Sequence, residues 1–206
     1  MEKQSAVSVQ KRLLQVAFIA GPVLLFLSAG SFALEIGLIP PGISSWVEGF
    51  FGSYALILFI PIYVELSRRL SATHRVLGAI TTVTGLFGAA VGFSLEFLRV
   101  IEFTLRKVGV GDSIWQTYYA GPGWEFMAIA LLGPLFPLTS VLLGFGFLRS
   151  KTLPLWVAAA LLAAGVFFPL AQVLEWEWGF KVTYPLACLL WMIALPFVGL
   201  KYVGKD

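Results

Sequence analysis

An arginine lies between two glutamates in the third apolar segment of the chain, and this spacing is the one best suited to chemistry. Glu96, Arg99 and Glu102 recur at every third position, so on a helix each step turns by about 60° and all three fit on one face. A guanidinium between two carboxylates can form charge-assisted hydrogen bonds to both. Ionisable groups at membrane depth are costly unless they are paired or hydrated, which makes them candidates for a binding or catalytic site.

The same three residues have a simpler interpretation as the end of a membrane-spanning helix. A span counted from Val76 needs about 20 residues to cross the bilayer, which brings the chain to Leu95 and puts Glu96 at the outer interface. At the level of the sequence, the structural interpretation and the functional one both stand.

The composition is that of a membrane protein. Apolar residues make up 59% of the 206 positions and charged residues 12%, whereas soluble domains are about 45–50% apolar and about 25% charged. Long apolar runs without a two-residue alternation indicate helices, because lipid offers no hydrogen-bond partner to an open backbone. We therefore predict an all-α, polytopic membrane protein: one domain, residues 1–206, with six transmembrane helices in a single bundle, at about 13–38, 47–67, 76–103, 123–148, 153–174 and 183–202.

The first apolar run resembles a secretory signal, but it continues past Ala33 to Pro40, so we expect it to be retained as a first span. Basic residues give the orientation. With the N-terminus in the cytoplasm, ten of the 14 lysines and arginines fall on the inner side, which by the positive-inside rule predicts that both termini are cytoplasmic. These ten are Lys3, Lys11, Arg12, Arg68, Arg69, Arg75, Arg149, Lys151, Lys201 and Lys205.

Acidic residues show the opposite distribution, since eight of the 11 fall in the outer half or in outer loops. Glu35 is notable because a negative charge near the C-terminal end of a helix is unfavourable. Glu48 opens the second span, where an acid favours the helix dipole, and we interpret it as a cap-region residue. Carboxylates from several helices at one depth predict a shared outer cavity, with the ligand-binding residues Glu35, Glu96, Arg99, Glu102, Glu125, Trp124 and Gln172.

Aromatic side chains are concentrated at the same boundary. An interfacial belt is the usual reason for this, although rings interleaved with carboxylates also suit a cation or an amphipathic ligand. The 104–122 connection is expected to be a surface loop, or alternatively a lid with a short interfacial helix between its glycines. Pro134 and Pro137 predict kinks in the fourth span, and Gly88 and Gly92 predict close helix packing in the third.

Several classes of site lack the residues that they need. His74 is the only histidine and Cys188 the only cysteine, so we expect no metal site, no haem, no intramolecular disulfide and no cofactor. The net positive charge fits anionic lipid headgroups rather than nucleic acid. No catalytic residue can be named, and whether the protein is an enzyme stays undecided.

Two segments carry a family resemblance. The stretch from Leu142 to Trp156 resembles the junction of the fourth and fifth helices in a large family of uncharacterised bacterial integral membrane proteins, and the segment from Glu96 to Glu102 is similar to that family's third helix, where an arginine followed by an acid recurs. The resemblance implies a bacterial six-helix bundle, in the inner (plasma) membrane, and supplies no activity.

Three functional hypotheses follow. The first is a protein whose acidic and aromatic outer cavity binds or transports a small molecule or a cation. The second is a non-catalytic subunit of a larger membrane complex, with the acidic outer face as the docking surface for its partner. The third is a membrane enzyme that acts on a lipid or isoprenoid and uses a buried carboxylate as general acid or base.

Overall fold

Helices account for almost all of the chain that the structure describes. The computed structural model describes residues 2–39, 44–110, 112–121, 123–173 and 179–203, with side chains for all of these except 2–8, 44, 112, 119, 172 and 173. A short antiparallel pair, β1 (Leu38–Ile39) with β2 (Ser44–Ser45), and a π-helical turn at Gly179–Thr183 accompany the helices. The helices are α1 (Glu2–Ala33), α2 (Trp46–Ser71), α3 (Arg75–Lys107), α4 (Asp112–Ala120), α5 (Trp124–Ala130), α6 (Leu135–Ser150), α7 (Leu155–Val173) and α8 (Tyr184–Lys201).

Five helical segments in the described part of the chain are long and apolar enough to cross a membrane: Val9–Ala33, Trp46–Ser71, Arg75–Lys107, Trp124–Ser150 and Gly179–Lys201. The predicted fifth span, at 153–174, corresponds to α7, whose apolar stretch Leu155–Ala171 is shorter. The all-helical class is therefore confirmed, and the apolar helices are those of a membrane protein.

The first span ends earlier than the predicted residue 38, and the reason is a local turn. Glu35 adopts a left-handed backbone with φ 59°, its N–H bonds to the Phe32 carbonyl at 2.9 Å, and the Ile36 N–H bonds to the Ser31 carbonyl at 2.8 Å. This pair of bonds is the Schellman arrangement that closes a helix. The predicted boundary was wrong because apolar character continues past α1 into β1, where the backbone is no longer helical.

The fourth span is broken rather than simply kinked. α5 ends at Ala130, a turn occupies 131–134, and α6 begins at Leu135. Pro134 has no N–H to donate to a continuous helix, which explains a break at its position. Pro137 lies in the first turn of α6, where backbone N–H groups have no intrahelical partner, so it causes no second break there.

The long helices form a closed ring in the order α1, α2, α3, α6, α7, α8, and α8 packs back on α1. Gln15 donates to the Gly199 carbonyl at 3.4 Å, and Arg69 donates to the Tyr202 carbonyl at 2.6 Å. These bonds join the first half of α1, the end of α2 and the end of α8 at one end of the ring, which we call the basic end. Glu48, Glu96 and Glu102 lie toward the opposite end, which we call the acidic end.

Aromatic side chains fill the space that the ring of helices encloses, between its two ends. Phe136 packs edge to face against Phe59 at 5.1 Å, Trp191 at 5.4 Å and Phe168 at 5.6 Å between ring centroids. The Trp191 indole N–H donates to the Ser140 hydroxyl at 2.8 Å, which satisfies the one polar atom of that buried ring. The centre at this level is therefore packed, and it supports the acidic end from below.

Gly88 sets the contact between α3 and α6, because a Cβ atom there would lie 2.6 Å from the Leu135 carbonyl carbon and from the Phe136 Cα. Gly88→Ala is expected to lower the free energy of unfolding by about 1–3 kcal/mol, since backbone cannot move aside as a side chain can. The measurement is reversible unfolding of the purified protein in mixed micelles. Gly30→Ala is the control, since a Cβ at Gly30 meets nothing within 4 Å; equal losses in both variants would contradict the close contact.

Candidate functional site

Arg99 joins two helices at the acidic end. Its Nη1 forms ion pairs with Glu48 Oε1 on α2 and with Glu96 Oε2 on its own helix α3, the latter at 3.1 Å. The exposed fraction of the side chain is 4% for Glu48, 14% for Glu96 and 29% for Arg99. We call these three residues the Glu48–Arg99–Glu96 cluster, and its most deeply buried member comes from α2.

The start of α2 explains why the Glu48 carboxylate is available. Ser45 is the N-cap residue, and its hydroxyl accepts hydrogen bonds from the N–H groups of Val47 and Glu48, both at 3.2 Å. Ser45, and not Glu48, therefore caps the N-terminus of α2. The Glu48 side chain is turned inward to Arg99, so its interpretation as a cap-region residue was incomplete.

Two glycines on α2 make room for the α3 side chains. A Cβ atom at Gly52 would lie 2.9 Å from the Glu96 carboxyl carbon, and one at Gly49 would lie 3.0 Å from the Arg99 Cβ. Glu96 and Arg99 thus cross the surface of α2 where α2 has no side chains. This close approach of α2 and α3 lets a residue on α3 reach a carboxylate on α2.

α1 and α8 close the other side of the cluster. The Ser28 hydroxyl on α1 donates to the Glu48 backbone carbonyl at 2.9 Å, and the Tyr184 hydroxyl on α8 lies 3.5 Å from the same Ser28 oxygen. Tyr184 is 6% exposed and interacts with the carboxylates of Glu48 and Glu96. Four helices of the ring therefore surround one set of charges.

One oxygen of the cluster is left without a hydrogen bond of normal geometry. Glu48 Oε2 is buried and has no hydrogen-bond partner of normal geometry among the described residues, although the Tyr184 hydroxyl and the Ser45 backbone make weaker hydrogen-bond interactions with this carboxyl group. Buried carboxylate oxygens without donors are costly. A proton on the carboxyl group, or an additional hydrogen-bond donor, would satisfy this oxygen.

Glu102 is directed to a different partner from the one that its spacing suggested. It is 2% exposed and its Oε1 accepts from Arg106 Nε at 2.9 Å, one helical turn further along α3. Tyr118 on α4 faces this pair, and the pKa of its hydroxyl is raised by burial and by the Glu102 charge. The 104–122 connection thus contains a short helix, α4, rather than being a loop throughout, and α4 approaches the cluster through Tyr118.

The structure places the remaining predicted site residues elsewhere at the acidic end. Glu35 lies in the turn after α1 and pairs with Lys181 at 2.7 Å, and its side chain is 58% exposed. Glu125 is exposed, and Trp124 is 76% exposed. The side chain of Gln172 lies outside the described residues. Of the seven residues predicted from sequence, the structure thus joins Glu96 with Arg99 in one cluster and adds Glu48.

Glu48 belongs to the cluster although its position suggested only a cap-region residue, and the sequence contains a signal for this role. Gly49, Gly52 and Ser53 follow Glu48 closely, and the small-xxx-small pair of Gly49 and Ser53 marks a place where another helix can approach. An acid beside such a place can meet a side chain of the neighbouring helix. Within the described ranges, no group of three or more His, Cys, Asp and Glu side chains could hold a metal ion.

Comparisons with protein-family models, curated proteins and solved structures found no match to this chain. The site is therefore interpreted from its own geometry.

The Glu35–Lys181 pair predicts a specific pH dependence. The pKa of Glu35 is lowered, first by its hydrogen bond from Lys181 and second by the Lys181 charge. The carboxylate form is favoured, so the contact is present above the ordinary pKa of a glutamate and is lost as the pH falls through the lowered pKa. Lys181→Ala is expected to return the pKa of Glu35 toward its ordinary value, as measured by carboxyl ¹³C NMR in micelles.

Glu35→Gln identifies the signal of Glu35 in that experiment, and Lys181→Arg is the control that keeps the charge. An unchanged titration of Glu35 in the Lys181→Ala protein would show that the two side chains do not pair.

Removing Arg99 is expected to destabilise the protein, because two carboxylates would then remain close together without a counter-charge. Breaking a buried ion pair costs about 3–5 kcal/mol, and we expect the lower part of this range for Arg99→Gln because 29% of the side chain is accessible. The double variant Arg99→Gln with Glu48→Gln should recover part of the loss. Unfolding free energies of the single and double variants measure this coupling; strictly additive losses would contradict it.

Proposed function

We propose that this protein binds and transports a small cation at the Glu48–Arg99–Glu96 cluster, as a proton or as a protonated amine that exchanges with it. The observation that carries the proposal is Glu48 Oε2, a buried carboxylate oxygen without a hydrogen-bond donor of normal geometry among the described residues. An amine N–H or a proton supplies what this atom lacks.

The charge of the cluster supports the proposal. Two carboxylates face one guanidinium, and among the described residues Arg99 is the only cation that interacts with Glu48 or Glu96. With both acids ionised, one negative charge is therefore in excess within a largely apolar bundle. An excess buried charge is costly, so the cluster attracts one positive charge, and an exchangeable one can be carried.

The exposed fraction of the side chains decreases from one side of the cluster to the other, which suits a binding site that a cation enters from one side. Arg99 is 29% exposed, Glu96 14% and Glu48 4%. A cation approaching from the Arg99 side would meet Glu96 first and Glu48 last. Tyr184 at the inner limit offers a ring and a hydroxyl, which are favourable to an ammonium group.

The broken fourth span also favours transport. Gly133, within the break between α5 and α6, has Leu95 of α3 as a neighbour, with 3.5 Å between its Cβ position and the Leu95 Cδ1. The break therefore lies at the depth of the residue before Glu96. Discontinuous helices beside the binding site are typical of transporters, because the segments on either side of the break can move separately.

We further propose a topology in which six helices, with α7 as the fifth, cross a bacterial inner membrane with both termini in the cytoplasm. The basic end then faces the cytoplasm and the cluster faces outward. The support is the concentration of Arg68, Arg69, Arg75 and Arg149 at the basic end, as the positive-inside rule requires.

Binding is tested on the purified protein by isothermal titration with phenethylammonium in two buffers that differ in protonation enthalpy. The wild type is expected to bind the amine and to release up to one proton per amine bound. Glu48→Gln and Glu96→Gln are each expected to weaken binding at least tenfold, since each removes one of the two negative charges. Infrared spectroscopy measures in parallel a protonated carboxyl group that is lost in these variants.

Glu125→Gln is the matched control: it removes an exposed acid at the same end of the bundle and should bind within twofold of the wild type. Equal weakening in all three variants would indicate a diffuse surface charge. A wild type that neither binds the amine nor contains a protonated carboxyl group sensitive to Glu48→Gln would overturn the proposal.

A further inference from the structure

A groove at the basic end has features that neither the cluster nor the proposed function uses. It lies between the first turns of α3 and the last turns of α6, with a volume of about 440 Å³. Its lining includes the basic side chains Arg75, His74 and Arg149 and the apolar side chains Leu77, Ile80 and Phe145. We call this cavity the basic-end groove, and we propose that it binds an anionic phospholipid, with the phosphate at the two arginines and an acyl chain along the apolar part.

The two arginines are the reason for an anionic ligand. Arg75 and Arg149 come from different helices and are both exposed, and no carboxylate of the described residues pairs with either. Neighbouring basic side chains of the same end are paired: Glu65 binds Arg68 at 2.8 Å and Arg69 at 2.6 Å. Within the described ranges no carboxylate therefore compensates the positive charge of the groove, and a phosphate can accept hydrogen bonds from both guanidinium groups.

The apolar part of the groove is the reason for a lipid rather than a small anion. Ile80 is 45% exposed and Phe145 is 52% exposed, and both lie along the groove below the arginines. Ile80 follows Arg75 by five residues, which on a helix is about 7.5 Å. A free phosphate would leave this surface bare, whereas an acyl chain attached to the phosphate would cover it. Basic pockets between transmembrane helices at this level suit anionic headgroups.

Two features of the backbone favour the same ligand. α3 begins after His74 without a side-chain cap and without an acid in its first turn, so its N-terminal N–H groups and dipole favour a negative charge near Arg75. Gly146 keeps the floor of the groove close to α2 and α3, since a Cβ there would lie 2.7 Å from a methyl group of Leu70 and 3.0 Å from one of Leu77. The groove is thus built by tight packing of these helices.

The test is native mass spectrometry of the purified protein with phosphatidylglycerol and phosphatidylcholine of identical acyl chains. The wild type is expected to retain phosphatidylglycerol at least fivefold over phosphatidylcholine. Arg75→Gln with Arg149→Gln should reduce this preference to about one, whereas Arg75→Lys with Arg149→Lys should keep most of it. Thermal unfolding of each variant shows that it is folded.

Arg12→Gln with Lys151→Gln is the matched control, because it removes the same charge at residues that do not line the groove. An equal loss of preference in this control would indicate general attraction to basic residues and would overturn the site.

Ile80→Ser with Phe145→Ser should lower lipid retention at least threefold; unchanged retention would overturn the acyl-chain part. Displacement of the lipid by millimolar inorganic phosphate would identify free phosphate as the ligand and overturn the lipid. None of these variants touches Glu48, Glu96 or Arg99, so this result is independent of cation binding.

Discussion

The ion pair between Arg99 on α3 and Glu48 on α2 is the interaction on which the acidic end depends. A guanidinium in an apolar bundle needs carboxylate partners, and one of its two lies on another helix. The helices must therefore keep one register, with Gly49 and Gly52 facing the side chains of Arg99 and Glu96. Any sliding of α2 along α3 would separate the charges and press side chains against these glycines, so electrostatics and sterics select the same arrangement.

The ring of helices turns this pair into a site. Because α2 is flanked by α1 and α3, and α8 packs on α1, Ser28 and Tyr184 reach the Glu48 side of the cluster. Below them the aromatic centre around Phe136 and Trp191 is packed, which leaves the acidic end as the place where polar groups gather. Two other acids of this end have cations of their own, namely Arg106 for Glu102 and Lys181 for Glu35.

The two ends of the molecule carry opposite kinds of excess charge. At the acidic end the cluster has one carboxylate more than Arg99 can neutralise, and at the basic end Arg75 and Arg149 have no carboxylate partner among the described residues. The two ligands that we propose differ accordingly. A deeply buried carboxylate oxygen suits a small cation, whereas exposed arginines at a helix end, above an apolar groove, suit a lipid headgroup.

The spacing of residues along the chain was sufficient to predict several features of the fold and the site, but it did not predict which side chains meet across two helices. The sequence by itself determined the helical class, most helix positions, the separation of basic and acidic residues, and the pairing of Glu96 with Arg99, because these depend on composition or on neighbours one helical turn apart. Only the tertiary structure brought Glu48 to Arg99 and Lys181 to Glu35. The Glu102–Arg106 pair, one helical turn apart, and the turn that ends α1 at Ala33 are local features that the sequence analysis did not predict. The physical reason is that spacing determines the face of a helix on which a residue lies, whereas the partner across that face depends on which helix packs there and how closely its glycines let it approach.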